Sequence, residues 1–222
     1  MKKIRVESCT EKGEAEYKCS MCSDTYIEEI AAKGHTWKEA TCTAPKTCNE
    51  CKLTKGDELG HNYVNRTCSR CGEKQLLSVS ELNDEIIKQP IYVSSTKYVV
   101  QSDKYKSLYP DMLSATIYNN SSEKIKNAVI AFVAWDVNGL PVKIRGEYDF
   151  GGGNYVKQGN ANNINLVPNS YWGSNSGLSL DDNQDISTFK AIAVSYERFD
   201  GTEWENPLFD NWCKLFEDKP LY

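Results

Sequence analysis

Ten cysteine and histidine residues crowd into the first seventy-one positions, and seven or eight short β-rich runs separated by turn residues follow residue 90. With a closing amphipathic stretch at 206–219, they predict a mostly β protein in two parts. Small zinc-ribbon-like or zinc-finger repeats fill residues 1–75, and a linker with one short helix spans 76–90. An antiparallel β-sandwich of immunoglobulin-like type with a C-terminal helix occupies 91–222. The first part holds both histidines and eight of the nine cysteines but, Met1 aside, only a dozen large apolar side chains. So few cannot offset a backbone entropy of roughly 1–2 kcal/mol per residue, and this part is expected to need metal to fold.

The ligands recur in units. Cys9, Cys19-x-x-Cys22 and His35 make the first, Cys42, Cys48-x-x-Cys51 and His61 the second, and Cys68-x-x-Cys71 a truncated third. Histidines in register with cysteines favour metal over disulfides, because a disulfide has no use for imidazole. A Cys-x-x-Cys turn lets two thiolates reach one ion at about 2.3 Å, and tetrahedral zinc takes four ligands. Ten ligands therefore complete two structural zinc sites and leave a remainder.

Cys9, Cys19, Cys22 and His35 form the expected first site, and the second contains Cys48 and Cys51. Two completions stand open for the second. The repeat supplies Cys42 and His61 and leaves Cys68 and Cys71 over; a ribbon across the sixteen-residue spacer supplies Cys68 and Cys71 and leaves Cys42 and His61. The competing reading is a disulfide framework in a secreted Cys-rich module. Units this small with thiolate-rich ligands are closed structural sites without a position for catalytic water. No pair opens a helix in a β-α-β setting as a redox pair would.

Charge argues against a nucleic-acid surface. Residues 1–75 carry a net charge of +1 and residues 76–222 one of −6, with lysines and glutamates interleaved. Displacing phosphate counterions takes a concentrated positive face instead. Met1-Lys2-Lys3 starts like a signal peptide, yet Ile4-Arg5-Val6-Glu7-Ser8 supplies no apolar core, and no run approaches the roughly 20 apolar residues of a membrane span. The expected location is cytoplasmic if the chain is complete, and extracellular or at the cell surface if it is a fragment of an exported protein.

In the larger part the elements follow in order. Ser80 can cap a short helix over 81–88, which Pro90 stops. Strands are predicted at 91–93, 98–100, 113–118 and 128–135, the last apolar on both faces and so central and covered on both sides. Asn138-Gly139 signals a tight turn, with 142–148 returning as hairpin partner. Further strands are predicted at 161–167, 171–180 and 189–198. Asn206 then caps a helix that begins at Pro207, places Leu208, Phe209, Trp212, Leu215 and Phe216 on one stripe, and covers an edge or open end of the sandwich. Cys213 beside the stripe reads as a small core residue.

Catalytic sets are missing from this part. It has no histidine to activate a serine or cysteine. Gly151-Gly152-Gly153-Asn154 lacks the Gly-Lys-Ser/Thr of a phosphate loop. Asp181, Asn183 and Asp185 begin like a calcium loop, but Ile186 and Ile192 stand where glycine and the bidentate glutamate belong. Tyr155, Tyr171, Trp172 and Trp204 are candidates for an aromatic platform, with core or edge packing as the plainer role.

Two stretches resemble known families. Ala40-Thr41-Cys42-Thr43-Ala44-Pro45-Lys46-Thr47-Cys48-Asn49-Glu50-Cys51, closing in Gly60-His61-Asn62-Tyr63, is similar to repeats found in tandem in many bacterial proteins, often large surface proteins. The resemblance covers residues 8–72; the first unit departs by its longer Cys9 to Cys19 spacing, and the third is cut short. It implies zinc and a modular spacer or interaction role, without chemistry. Tyr118-Asn119-Asn120-Ser121-Ser122-Glu123-Lys124-Ile125-Lys126-Asn127, Trp135-Asp136-x-x-Gly139, Asp200-Gly201-x-x-Trp204-x-Asn206-Pro207 and Trp212 resemble an uncharacterised bacterial β-sandwich family of FxLYD style, which implies a fold and no catalytic residues. The expectation is a non-catalytic, two-zinc modular protein whose sandwich binds a protein or other macromolecule. A carbohydrate-binding module, with tryptophans exposed in line, and a zinc-ribbon nucleic-acid regulator are the alternatives.

Overall fold

In a computed structural model all residues are described except 1, 103, 105–107, 148, 150, 182, 183 and 222, so that Tyr148 of the expected return strand and Asn183 of the calcium-like stretch lie outside the described residues. The chain divides into two compact units, residues 1–76 and 77–222. Both are dominated by antiparallel strands, as the sequence predicts.

In the first unit β1 (Lys2–Arg5), β2 (Gly13–Lys18) and β3 (Thr25–Ile30) form one sheet. A second sheet has β4 (Trp37–Lys38), β5 (Lys46–Cys48) and β6 (Thr54–Lys55), and a ribbon pairs β7 (Tyr63–Val64) with β8 (Thr67–Cys68). Its buried residues are few: Cys9, Gly13, Ala15, Cys42, Cys48 and Cys68. Four of the six are candidate ligands, and among the described residues of this unit no cluster of buried aliphatic or aromatic side chains takes the place of a core.

The second unit is built in three layers. Helix α1 (Val79–Ile86) leads into β9 (Ile91–Val99), β10 (Met112–Asn119), β11 (Ile125–Trp135) and β12 (Pro141–Val142). There follow β13 (Lys157–Ala161), β14 (Tyr171–Trp172), β15 (Gly177–Ser179), β16 (Thr188–Arg198), β17 (Glu203–Glu205) and helix α2 (Phe209–Phe216). Strand β10 centres one sheet, with β9 on one side and β14 and β15 on the other; β11 centres the second, between β16 and the pair β12 and β13. Leu113, Ala115 and Ile117 of β10 meet Ala128, Ile130, Phe132 and Ala134 of β11 in the core between the sheets. The alternate residues Ala131, Val133 and Trp135 point to the other face, where Leu82, Trp212 and Phe216 cover them.

Strand β11 is thus apolar on both faces because a sheet covers one and helices the other. This corrects the expected seat of α2, which lies on a flat sheet face and not at an edge or open end. The reason is Trp135: its ring needs a cover on that face, packs edge-on against Phe216 at 6.1 Å, and its Nε1 donates to the Lys219 carbonyl at 2.8 Å.

Element ends also shift. Helix α1 is capped by Ser78 and not Ser80, because Ser78 and Glu81 form a reciprocal capping box. Helix α2 begins at Phe209, two residues after Pro207; Asn206 Oδ1 accepts from the Leu208 N–H at 2.9 Å, while its amide donates inward to the Ala193 carbonyl at 2.7 Å. The strand expected at 161–167 runs instead over Lys157–Ala161, and 171–180 breaks into β14 and β15 around Gly173. There φ is 102°, and a Cβ at Gly177 would collide with the Leu113 carbonyl.

Candidate metal centre

Each centre is assembled where the chain leaving one unit runs beside the turn of the next. After Gly34, at φ 73°, His35 leads into β4, whose Trp37 pairs with Cys48, and the Asn49 N–H donates to the Thr36 carbonyl at 2.9 Å. The second copy is the same. Gly60, at φ 64°, precedes His61, Tyr63 pairs with Cys68, and the Ser69 N–H donates to the Asn62 carbonyl at 2.9 Å. Residues two apart share a strand face, so Trp37 packs against His35 at 5.0 Å with the rings tilted by 39°, and Tyr63 stacks on His61 at 5.3 Å, steadying each imidazole.

Two groups of four result: Cys9, His35, Cys48 and Cys51, and Cys42, His61, Cys68 and Cys71, each with its ligand atoms within 4.8 Å of one another. Cys9 Sγ stands 3.8 Å from Cys48 Sγ, and Cys51 Sγ 3.4 Å from His35 Nδ1. In the other group Cys42 Sγ is 3.7 Å from Cys68 Sγ, and Cys71 Sγ 3.4 Å from His61 Nδ1. Four ligands at zinc bond lengths would set their sulfurs about 3.8 Å apart along the edges of a tetrahedron, so the spacings fit one ion per group. His61 presents Nδ1 inward and holds Nε2 3.4 Å from the Glu73 carboxylate, an outer partner of the kind that orients a ligating imidazole.

The thiols of each group are set against one another. Burial, and then the Cys48 and Cys51 sulfurs, push Cys9 up to about 11; the Cys51 backbone N–H brings Cys48 down to about 6. Burial likewise raises Cys42 to about 11, while at Cys68 burial is outweighed by the N–H groups of Arg70 and Cys71, with a value of about 5. A cation among the three sulfurs would relieve that mutual opposition. The donor set therefore suits a thiophilic divalent ion.

This grouping corrects both expected partitions. Cys19 and Cys22 do not join Cys9 and His35, and the ribbon of Cys48, Cys51, Cys68 and Cys71 does not form. The cause is β2. Lys33 donates to the Ser8 carbonyl at 2.9 Å, fixing Cys9 and His35 at the base of the β2–β3 hairpin. The six residues of β2, at about 3.3 Å each, carry Cys19 and Cys22 to its far tip. Cys42 and His61 do belong to one group, as the repeat suggests, but the next unit's pair, Cys68 and Cys71, completes it. The Gly-His-x-aromatic strand itself was the available signal: it pairs forward.

In the second unit the motif residues serve turns and packing. Asp136 Oδ1 accepts from the Asn138 and Leu140 N–H groups at 2.8 Å each. Buried Asn119 donates to the Glu123 and Leu166 carbonyls and accepts from Ser121. Asp200 holds the turn through the Thr202 N–H at 2.9 Å, and Trp204 stacks on Tyr196 at 5.3 Å. Asp181 lies 3.4 Å from Arg145, and Ile186 is buried, unlike calcium-loop positions. Cys213 is half-buried against the helix-side core, and burial pushes its thiol up to about 11. A cavity of about 350 Å³ opens between the sheets, lined by Ile130, Phe132, Trp172 and the ion pair of Lys157 with Asp149.

On the outer face of the other sheet, Tyr118 has Tyr92 and Tyr171 as cross-strand partners at ring separations of 5.4 and 4.8 Å. Of the proposed platform residues only Tyr171 belongs to this row; Trp172 and Trp204 pack partly into the core.

Fold and site define a mostly β protein with two Cys3His groups able to hold metal ions, followed by an antiparallel β domain. Residues 112–219 of that domain match a family of unknown function, DUF5780. Among solved structures the chain is similar to a hypothetical protein from Peptoclostridium difficile 630, at 13% identity over 60% of this chain and 94% of that one, with a TM-score of 0.49. No curated protein matches. Among the described residues no helix is long and apolar enough to cross a membrane.

Proposed function

We propose that the chain is a non-catalytic, zinc-binding modular protein: two structural ions hold residues 1–76 in shape, and the β domain binds another macromolecule, a protein above all. The carrying observation is that the buried interior of the first unit consists of ligand cysteines with Gly13 and Ala15. A segment so poor in apolar side chains is stabilised by its ions or not at all. Three thiolates and an imidazole at tetrahedral spacing favour zinc among common divalent ions. Both histidines lie in these groups, which supports a role without acid–base chemistry, as does the resemblance to tandem bacterial repeats. Protein purified without added metal should carry at least two zinc ions per chain, with Cys9→Ser and Cys42→Ser each losing one. Fewer than two ions per chain would sink the reading.

Carbohydrate is a second reading, favoured by the tyrosine row. Three aromatic rings across adjacent strands, tilted by 51° and 47° to their neighbours, offer an aromatic surface for sugar rings, where the tryptophans do not. Affinity electrophoresis through polysaccharide gels tests it: retention that Tyr171→Ala reduces several-fold supports a glycan ligand, and equal mobility in every gel rejects it.

A further inference from the structure

Cys19 and Cys22 lie outside both groups, exposed at the tip of the β2–β3 hairpin. Yet the backbone there repeats the two ligating turns bond for bond. In each turn the first cysteine's N–H donates to the carbonyl five residues on: Cys19 to Asp24 at 2.8 Å, Cys48 to Leu53 at 2.8 Å, Cys68 to Glu73 at 2.7 Å. In each, the residue four on donates back to that cysteine's carbonyl, from Ser23 at 3.2 Å, Lys52 at 3.1 Å and Gly72 at 2.8 Å. That residue takes a left-handed φ of 65°, 64° and 77° in turn. Serine and lysine adopt such a φ only at a cost. What the three turns share is a shape that aims two sulfurs at one point.

Among the described residues no thiolate or imidazole outside the two groups completes this third pair. Both histidines and six other cysteines are taken up in the two groups, and Cys213 is half-buried against the second unit's helix-side core. The surroundings also differ from those of the completed turns. Met21 is 95% exposed where the other turns carry Glu50 and Arg70, and Tyr26 and Ile27 beside it are exposed as well. Exposed apolar side chains on a hairpin whose tip carries two thiols outside either group, with the Asp24 carboxylate 3.5 Å from Cys22 Sγ, suit contact with another polypeptide.

We propose that Cys19 and Cys22 are half of a third metal site, completed by the same two cysteines of a second copy of this chain, so that one zinc ion bridges two molecules through four thiolates. This rests on the reading that the congruent turns hold metal. The second copy is the occupant because this pair is the one surface thiol pair the described residues leave outside a group, and two such pairs make a four-sulfur tetrahedron about a twofold axis. Each of the four thiols releases its proton to solvent as the ion binds.

Zinc added to reduced protein that already holds two ions should be taken up at one further ion per two chains. Light scattering should show the mass double from 25.1 kDa, in wild type and Cys213→Ser alike. With cobalt(II) the last portion bound should give a four-thiolate spectrum, distinct from the Cys3His one. The double variant Cys19→Ser, Cys22→Ser should keep two ions and stay monomeric, which also shows that it is folded. No uptake beyond two ions, a third ion on a monomer, or a zinc-dependent dimer that survives the double substitution overturns the proposal while leaving the two-ion reading intact. Fewer than two ions in wild type would instead take down that reading and the proposal with it.

Discussion

Asp136 draws its importance from where it stands, at the end of the central strand of a sheet covered on both faces. Its carboxylate closes the turn that reverses β11 into β12, accepting two backbone N–H groups at 2.8 Å. The Leu140 N–H first, then that of Asn138, holds its pKa below the ordinary carboxylate value. Lys126 does the same to Glu197, and Lys157 to Asp149. A group whose pKa is lower in the folded chain stabilises the fold at pH above its unfolded value. That contribution is lost as pH falls through the folded value. The urea midpoint of the second unit should therefore drop between pH 6 and pH 3. Asp136→Asn keeps an acceptor for both N–H groups and removes the charge, so it should be less stable than wild type at pH 6 and approach it at pH 3. Parallel curves across that range would show that the Asp136 charge contributes nothing.

The strands and turns of the second unit were legible wherever a local rule decides them. The Val129 to Trp135 run, the Asn138-Gly139 turn and the α2 stripe each rest on period, turn chemistry or amphipathicity. The misplaced element ends divide between an overlooked local signal and partners far along the chain. Ser78 outcompeted Ser80 because Glu81 sits three residues after Ser78 and closes the capping box. Asn206 does accept the Leu208 N–H ahead of α2, but nothing local reveals the Ala193 carbonyl that takes its amide. The metal groups follow the same division. The eight residues that meet were all in the pattern, since Cys-x-x-Cys and Gly-His-x-aromatic are local signals. Their pairing was not, because it is set by β2 carrying one turn away and by β4 and β7 lying against the next turn. A repeat read as self-contained units is in fact joined one unit forward, so each ion would tie neighbours together and not close a unit on itself.

On the proposed two-ion reading, that forward joining would link the successive units of residues 1–76 through metal, whereas residues 77–222 have two apolar cores of their own. Removing the ions would then take away what holds the first body and nothing that holds the second. The five tryptophans report on both: Trp37 lies beside a candidate ligand, while Trp135, Trp172, Trp204 and Trp212 belong to the β domain. With an excess of a strong chelator under reducing conditions, the indole N–H resonance of Trp37 should collapse to its unfolded position and the other four should stay. Zinc added back should restore it. Because Cys9, His35, Cys48 and Cys51 span the first two units and Cys42, His61, Cys68 and Cys71 the last two, Cys42→Ser should loosen Tyr63 and leave Trp37 in place, and Cys9→Ser should disturb Trp37. Five unmoved indoles under chelation would show that the first unit stands without metal, and collapse of all five would show that the β domain does not stand alone.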